Sequence, residues 1–246
     1  MKTLTEHQAD TPIASPAKES GATAAQSAAK GGNWAGAAEA YTQAFTQIRN
    51  NPQPLLIMVA VYVVLSSIAT VLSGYQPYFS NESSYAYLPE LTWVIFLVPL
   101  ARYALAVADK RLVTMSELFT FTTRTFFYLL VAVIIVSLIT GLSALFLLIP
   151  LIWTVAWFAF TEFPVAEQEM TPANAMDESK RLAQHHKAKV WGIVGFGLLL
   201  VIPALILTFI PFVGVAGMAA FQVLFTCTLA ILYRWLQAQQ PVSDKV

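Results

Sequence analysis

Charged residues set among apolar neighbours are the first places to look for chemistry, because an ion in hydrocarbon is costly and marks a functional site by default. Arg102 stands inside an apolar run, residues 91–107. A guanidinium there can bind an anionic lipid headgroup or pair with a carboxylate. It can also simply snorkel, because about two turns separate it from the polar end of its helix. Snorkelling alone predicts that Arg102→Lys leaves folding intact. Glu162 closes a second apolar stretch just before Pro164. It can pair with Arg102, relay protons, or sit solvated at a helix end. Arg102 and Glu162 are therefore the candidate intramembrane ion pair or anionic-lipid site.

Four basic residues, Lys180, Arg181, Lys187 and Lys189, form a cluster suited to lipid headgroups. Each basic residue near an anionic membrane surface contributes about 1 kcal/mol. Their plainer role is to fix orientation. His185 and His186 lie near Asp177 and Glu178. Adjacent helical residues diverge by about 100°, so this pair does not share one metal ion as an i, i+4 pair would. Protonation of the histidines near neutral pH would instead strengthen contact with anionic lipid. Cys227 is the lone cysteine and lies in an apolar run, where it reads as a small buried hydrophobe. Gly192, Gly195 and Gly197 follow no strand, so they read as helix-packing positions and not as a nucleotide loop. No nucleophile elbow, metalloprotease helix, phosphate loop or paired carboxylate is present in the sequence. No catalytic residue, cofactor or metal is expected.

The elements that carry these residues are long and apolar. Apolar residues make up 57% of the chain and charged residues 11%, which excludes an ordinary soluble domain. The formal net charge is zero, so no global basic field draws nucleic acid. Residues 1–32, rich in Ala, Ser, Thr and Lys, read as a disordered cytoplasmic tail, and residues 238–246 as a second one. Between them the pattern predicts an all-α polytopic membrane bundle of about six transmembrane helices, with short cytoplasmic amphipathic helices. The spans fall at about residues 54–72, 91–107, 126–142, 146–163, 190–210 and 213–233. Pro99 is a possible kink in the second.

Three interfacial helices are expected. In the first, residues 33–49, Trp34 and Tyr41 suit the headgroup layer. The second opens at a capping box, Thr114 to Glu117, and runs to about Arg124. The third opens at Thr171-Pro172 and places Ala175, Ser179, Leu182 and His186 on one face. Asn81-Glu-Ser83 is a glycosylation sequon, and Tyr75, Tyr78, Phe79, Tyr85 and Tyr87 resemble an aromatic belt. Arg49, Lys110, Arg111, Arg124, the Lys180–Lys189 cluster, Arg234 and Lys245 all fall on one side of a six-span layout. The positive-inside rule then puts both termini in the cytoplasm, at the cell membrane. The same map suggests a threefold repeat of amphipathic helix plus hairpin, about 65–75 residues long.

The stretch from Ile149-Pro150 through Phe163-Pro164, then Glu167, Pro172-Ala-Asn-Ala175 and Ser179 through Leu182, resembles a pattern in six-helix membrane proteins. These are the YciC-like proteins and the membrane domain attached to some glycerophosphodiester phosphodiesterases. Their layout is similar over residues 34–235 and their motif over 150–190. Met176 stands where Leu is usual, and His185-His186 where a Gly-containing turn is common. The resemblance implies a membrane domain without catalytic residues, and the phosphodiesterase activity does not carry over. The expected function is a non-enzymatic scaffold or a lipid- or partner-binding module, with membrane lipids and membrane proteins as partners. A small-molecule or lipid transporter is the alternative, favoured by Arg102 and by prolines in the second and fifth spans. A membrane-embedded enzyme is the third reading.

Overall fold

The computed structural model describes residues 36–72, 88–146, 148–207 and 213–240, and every regular element among them is an α-helix. They are α1 (Ala37–Asn50), α2 (Pro52–Leu72), α3 (Leu88–Ala108), α4 (Met115–Phe119), α5 (Thr123–Phe146), α6 (Leu148–Phe158), α7 (Glu162–Gln168), α8 (Pro172–Gln184), α9 (Lys187–Leu207) and α10 (Val213–Gln239). The N-terminal tail, residues 241–246 of the C-terminal one, the sequon and the tyrosine-rich segment before α3 lie outside the described residues, as does Trp34.

Local chemistry fixes most of the boundaries. Pro52 forbids a helical Asn51, so α1 ends there and α2 leaves it at 90°. Lys110 takes a left-handed conformation, φ 54°, after α3. The Arg111 N–H then bonds the Ala106 carbonyl at 2.9 Å and the Lys110 N–H bonds Val107 at 3.1 Å, which is a Schellman closure. The capping box at Thr114 is present, with the Thr114 N–H donating to Glu117 Oε2 at 3.2 Å. Thr171 precedes Pro172 at the start of α8, as the sequence indicates.

Long-range contacts show that the chain runs out and back three times. The Tyr103 hydroxyl, late in α3, donates to the Asn51 carbonyl at the start of α2. The Thr125 hydroxyl, early in α5, donates to Glu169 Oε1 just past α7. Lys189, early in α9, lies 3.6 Å from the ring centre of Trp235, late in α10. The open ends of all three hairpins thus carry the polar elements. Arg234 ties them together, as described below.

The outer surface is as apolar as the interior. Phe127, Val131, Ile134, Leu138 and Leu142 form an exposed stripe along α5. Leu56, Val64 and Ile68 do the same on α2, and Leu198, Ile202 and Leu205 on α9. Such stripes would aggregate in water and are at home in lipid. Among the described residues, three helices are long and apolar enough to cross a membrane: Thr123–Ser143, Lys187–Leu207 and Ala216–Gln239. The bent α1–α2 pair passes the same test taken together.

Several expectations are corrected. The second interfacial helix is only five residues, because α4 closes at Thr120 and α5 starts at Thr123. The expected span over residues 146–163 is broken: α6 has 11 residues, about 16 Å, and turns 159–161 separate it from α7. Pro99 and Pro203 break nothing, since α3 and α9 run through them. α10 continues to Gln239, so Arg234 is a helical residue and not a tail residue. Of the three expected amphipathic helices, α1 and α8 form, and the middle one is reduced to the single turn of α4, which removes one member of the suggested repeat.

Candidate functional site

Two features gather the functional side chains: a cavity beside the middle hairpin and a basic, indole-lined patch at the polar end.

The cavity holds about 250 Å³. One wall is α5, from Leu129 to Thr140, a length of about 16 Å. The facing wall is Val194 of α9 with Phe225 and Leu229 of α10. Val155, Phe158 and Ala159 complete the apolar lining. Its polar groups are the hydroxyls of Ser137, Thr140 and Thr161 and the carboxyl of Glu162. Glu162 opens α7, just after the α6 break. Glu162 is half-buried. No hydrogen bond or ion pair holds its carboxyl among the described residues. Glu162 is therefore the sole ionisable group in an apolar space.

Arg102 does not meet Glu162. Its Nη1 donates to the carbonyls of Glu117, at 3.4 Å, and Thr120, at the C-terminal end of α4. Those carbonyls have no partner within a five-residue helix, and a cation at a helix C-terminus is favourable. The expected ion pair is thus replaced by a cap. Arg102 reaches the polar end as snorkelling requires, but it has a defined target there.

At the polar end, Lys187 Nζ lies 3.8 Å from the Trp153 ring centre, Lys180 Nζ 5.0 Å from Trp157, and Lys189 Nζ 3.6 Å from Trp235. No carboxylate bridges these three ammoniums among the described residues. Arg181 differs: Glu178 binds it through two contacts of 2.9 Å, and Gln240 accepts a third. Of the four expected headgroup contacts, three are available and one is already engaged. His186 packs edge-on against Trp235 at 5.6 Å. Burial, then the charges of Lys189 and His185, hold its imidazole below the ordinary histidine value, so His186 stays neutral near pH 7. The expected protonation switch is thus disfavoured at this residue. No group of three metal-ligating side chains occurs among the described residues.

Sequence reading missed three features. Arg234, 6% exposed, pairs through Nε and Nη2 with Asp109 at 2.8 Å and through Nη1 with Glu167 at 2.9 Å. Tyr41, expected at the headgroups, is buried and donates to the Ile193 carbonyl at 3.2 Å. Ser179 is fully buried; its hydroxyl accepts the Phe160 N–H at 3.1 Å and donates to the Trp157 carbonyl at 2.7 Å. The Ser of the quoted motif thus clips the α6–α7 break. Gly197 is the helix-packing glycine: a Cβ there would come within 2.7 Å of the Tyr41 hydroxyl and 2.9 Å of the Phe225 ring. Cys227 is buried as expected.

Fold and site together define an all-helical bundle compatible with a membrane, with polar chemistry gathered at one end. No protein-family model, curated protein or solved structure matches the chain.

Proposed function

We propose that the chain is a non-enzymatic, six-helix protein of the cell membrane, with both termini cytoplasmic, that holds anionic lipid at its polar end. The carrying observation is the set of three lysines, 180, 187 and 189, seated on indole rings with no carboxylate partner. Indoles favour the membrane interface, and lysines beside them meet phosphate oxygens. All ten Lys and Arg residues of the described segments belong to the elements at the open ends of the hairpins, as the positive-inside rule asks of a cytoplasmic face. The short α6 fits this reading if the polar surface dips toward the middle hairpin, where Lys180 and Lys187 reach its tryptophans. The resemblance to YciC-like proteins points the same way in layout.

Native mass spectrometry of the full chain in nanodiscs tests this. Phosphatidylglycerol should be retained over phosphatidylcholine, and Lys180→Gln/Lys187→Gln/Lys189→Gln should reduce retention about tenfold or more, given roughly 1 kcal/mol per lysine. Equal retention of the two lipids would overturn the proposal. The second reading is a transporter, which the cavity at Glu162 favours.

A further inference from the structure

We propose that the cavity between α5 and the α9–α10 pair is a binding site for a small apolar amine, a single hydrocarbon tail carrying one protonated nitrogen, with Glu162 as its counter-ion. This goes beyond lipid binding at the polar end and does not depend on it.

The shape selects the occupant's size. At about 250 Å³ the space lies just under the ~300–1,000 Å³ of drug-sized sites. It is also long, following α5 for about 16 Å from Leu129 to Thr140. A short tail fits such a slot and a two-chain lipid does not. The mouth selects the route. Ser137, on the cavity wall, is exposed between the outward-facing Ile134 and Leu138, so the space opens on the apolar flank of α5. An occupant that enters there must first partition into the apolar phase.

The floor selects the charge. Glu162 is the one ionisable lining group and has no hydrogen-bond or ion-pair partner among the described residues. The charged groups on the surrounding elements are engaged elsewhere or point to the polar end. On α3, Arg102 caps α4 and Asp109 holds Arg234. On α8, Glu178 holds Arg181 and Lys180 covers Trp157. On α9, Lys187 and Lys189 lie on tryptophans. On α10, Arg234 also engages Glu167 of α7, and Arg124 on α5 is bonded to Tyr128. Asp177 lies exposed on α8. None of these supplies the missing cation, so an ammonium does.

Binding exchanges ions in balance. A protonated Glu162 releases its proton to solvent as the ammonium arrives, leaving a carboxylate–ammonium pair and no net change in site charge.

The test is equilibrium dialysis of radiolabelled octylamine against the full chain in a neutral detergent, with octanol as the uncharged control. The expected result is one saturable octylamine site and at least a tenfold loss of octylamine affinity in Glu162→Gln with octanol binding unchanged. Glu162→Asp should restore part of the affinity, which separates loss of the counter-ion from misfolding. No saturable octylamine binding, or equal binding of octylamine to wild type and Glu162→Gln, overturns the proposal. Neither result bears on phosphatidylglycerol retention, so the two readings fail separately.

Discussion

Removing Arg234 should destabilise the bundle more than any other single polar change. Its guanidinium joins three elements: Asp109 just past α3, Glu167 in α7 and its own α10. These follow the first, second and third hairpins. Gln237 accepts a further Nη1 bond at 3.0 Å and itself donates to the Tyr233 hydroxyl. Arg234→Met keeps much of the stem but strands two carboxylates, whose side chains are 14% and 25% exposed. Breaking a buried pair costs about 3–5 kcal/mol, and the partial exposure of Glu167 argues for about 3 kcal/mol here, roughly a hundredfold in the folding equilibrium. Arg234→Lys should recover little, because one ammonium cannot reproduce a fork that engages both Asp109 oxygens and Glu167. The decisive variant is Arg234→Met/Asp109→Asn/Glu167→Gln. It leaves no unpaired charge and should regain most of the lost stability. Thermal unfolding of purified protein at one fixed scan rate reads all four proteins on the same scale. If the triple variant is no more stable than Arg234→Met alone, the residue acts through packing and the charge argument fails.

Three further outcomes follow from the packing and the caps. Gly197→Ala should destabilise by about 1–3 kcal/mol through overpacking against Tyr41 and Phe225, and Tyr41→Phe should partly rescue it by removing the nearest atom; additive losses in thermal unfolding would contradict this. Ser179→Ala should cost about 1–3 kcal/mol, since a buried N–H and a buried carbonyl lose their partner, and should raise hydrogen exchange at Phe160 above that of α8. Arg102→Ala should fray α4 and speed exchange around Thr120, while Arg102→Lys should retain part of the cap; identical exchange in both variants and wild type would remove the capping role.

What the sequence showed and what it hid divide along physical lines. The long helices were legible because a uniformly apolar helix needs no phase to be recognised. The N-terminal signals at Thr114 and Thr171 were legible because a cap is read within four residues. Tyr41 was misplaced because an amphipathic helix facing protein carries the same pattern as one facing lipid, and only the Ile193 carbonyl tells them apart. The Arg234 cluster was invisible because its partners lie 67 and 125 residues away and each alone looks like a solvated helix-end charge. The cavity was invisible for another reason. Its lining of Val, Leu, Ala and Phe is chemically that of a filled core, and emptiness has no signature in sequence.

The three prolines show how context decides what a residue type alone does not. A proline removes one N–H and presses its ring on the carbonyl four residues earlier. Pro99 and Pro203 do this inside α3 and α9, and both helices continue. Pro164 does it to Phe160, and there the helix stops. The Phe160 carbonyl that Pro164 leaves free takes the Phe163 N–H at 3.1 Å, and Ser179, delivered by α8, satisfies two further groups at the break. Its hydroxyl takes the Phe160 N–H and gives a bond to the Trp157 carbonyl, so both groups are satisfied without the α-helical ladder. The break turns the chain into α7 and puts Glu162 at its first residue, facing the cavity instead of continuing along α6. The carboxyl that gives the cavity its charge is thus positioned by a serine 17 residues later in the chain.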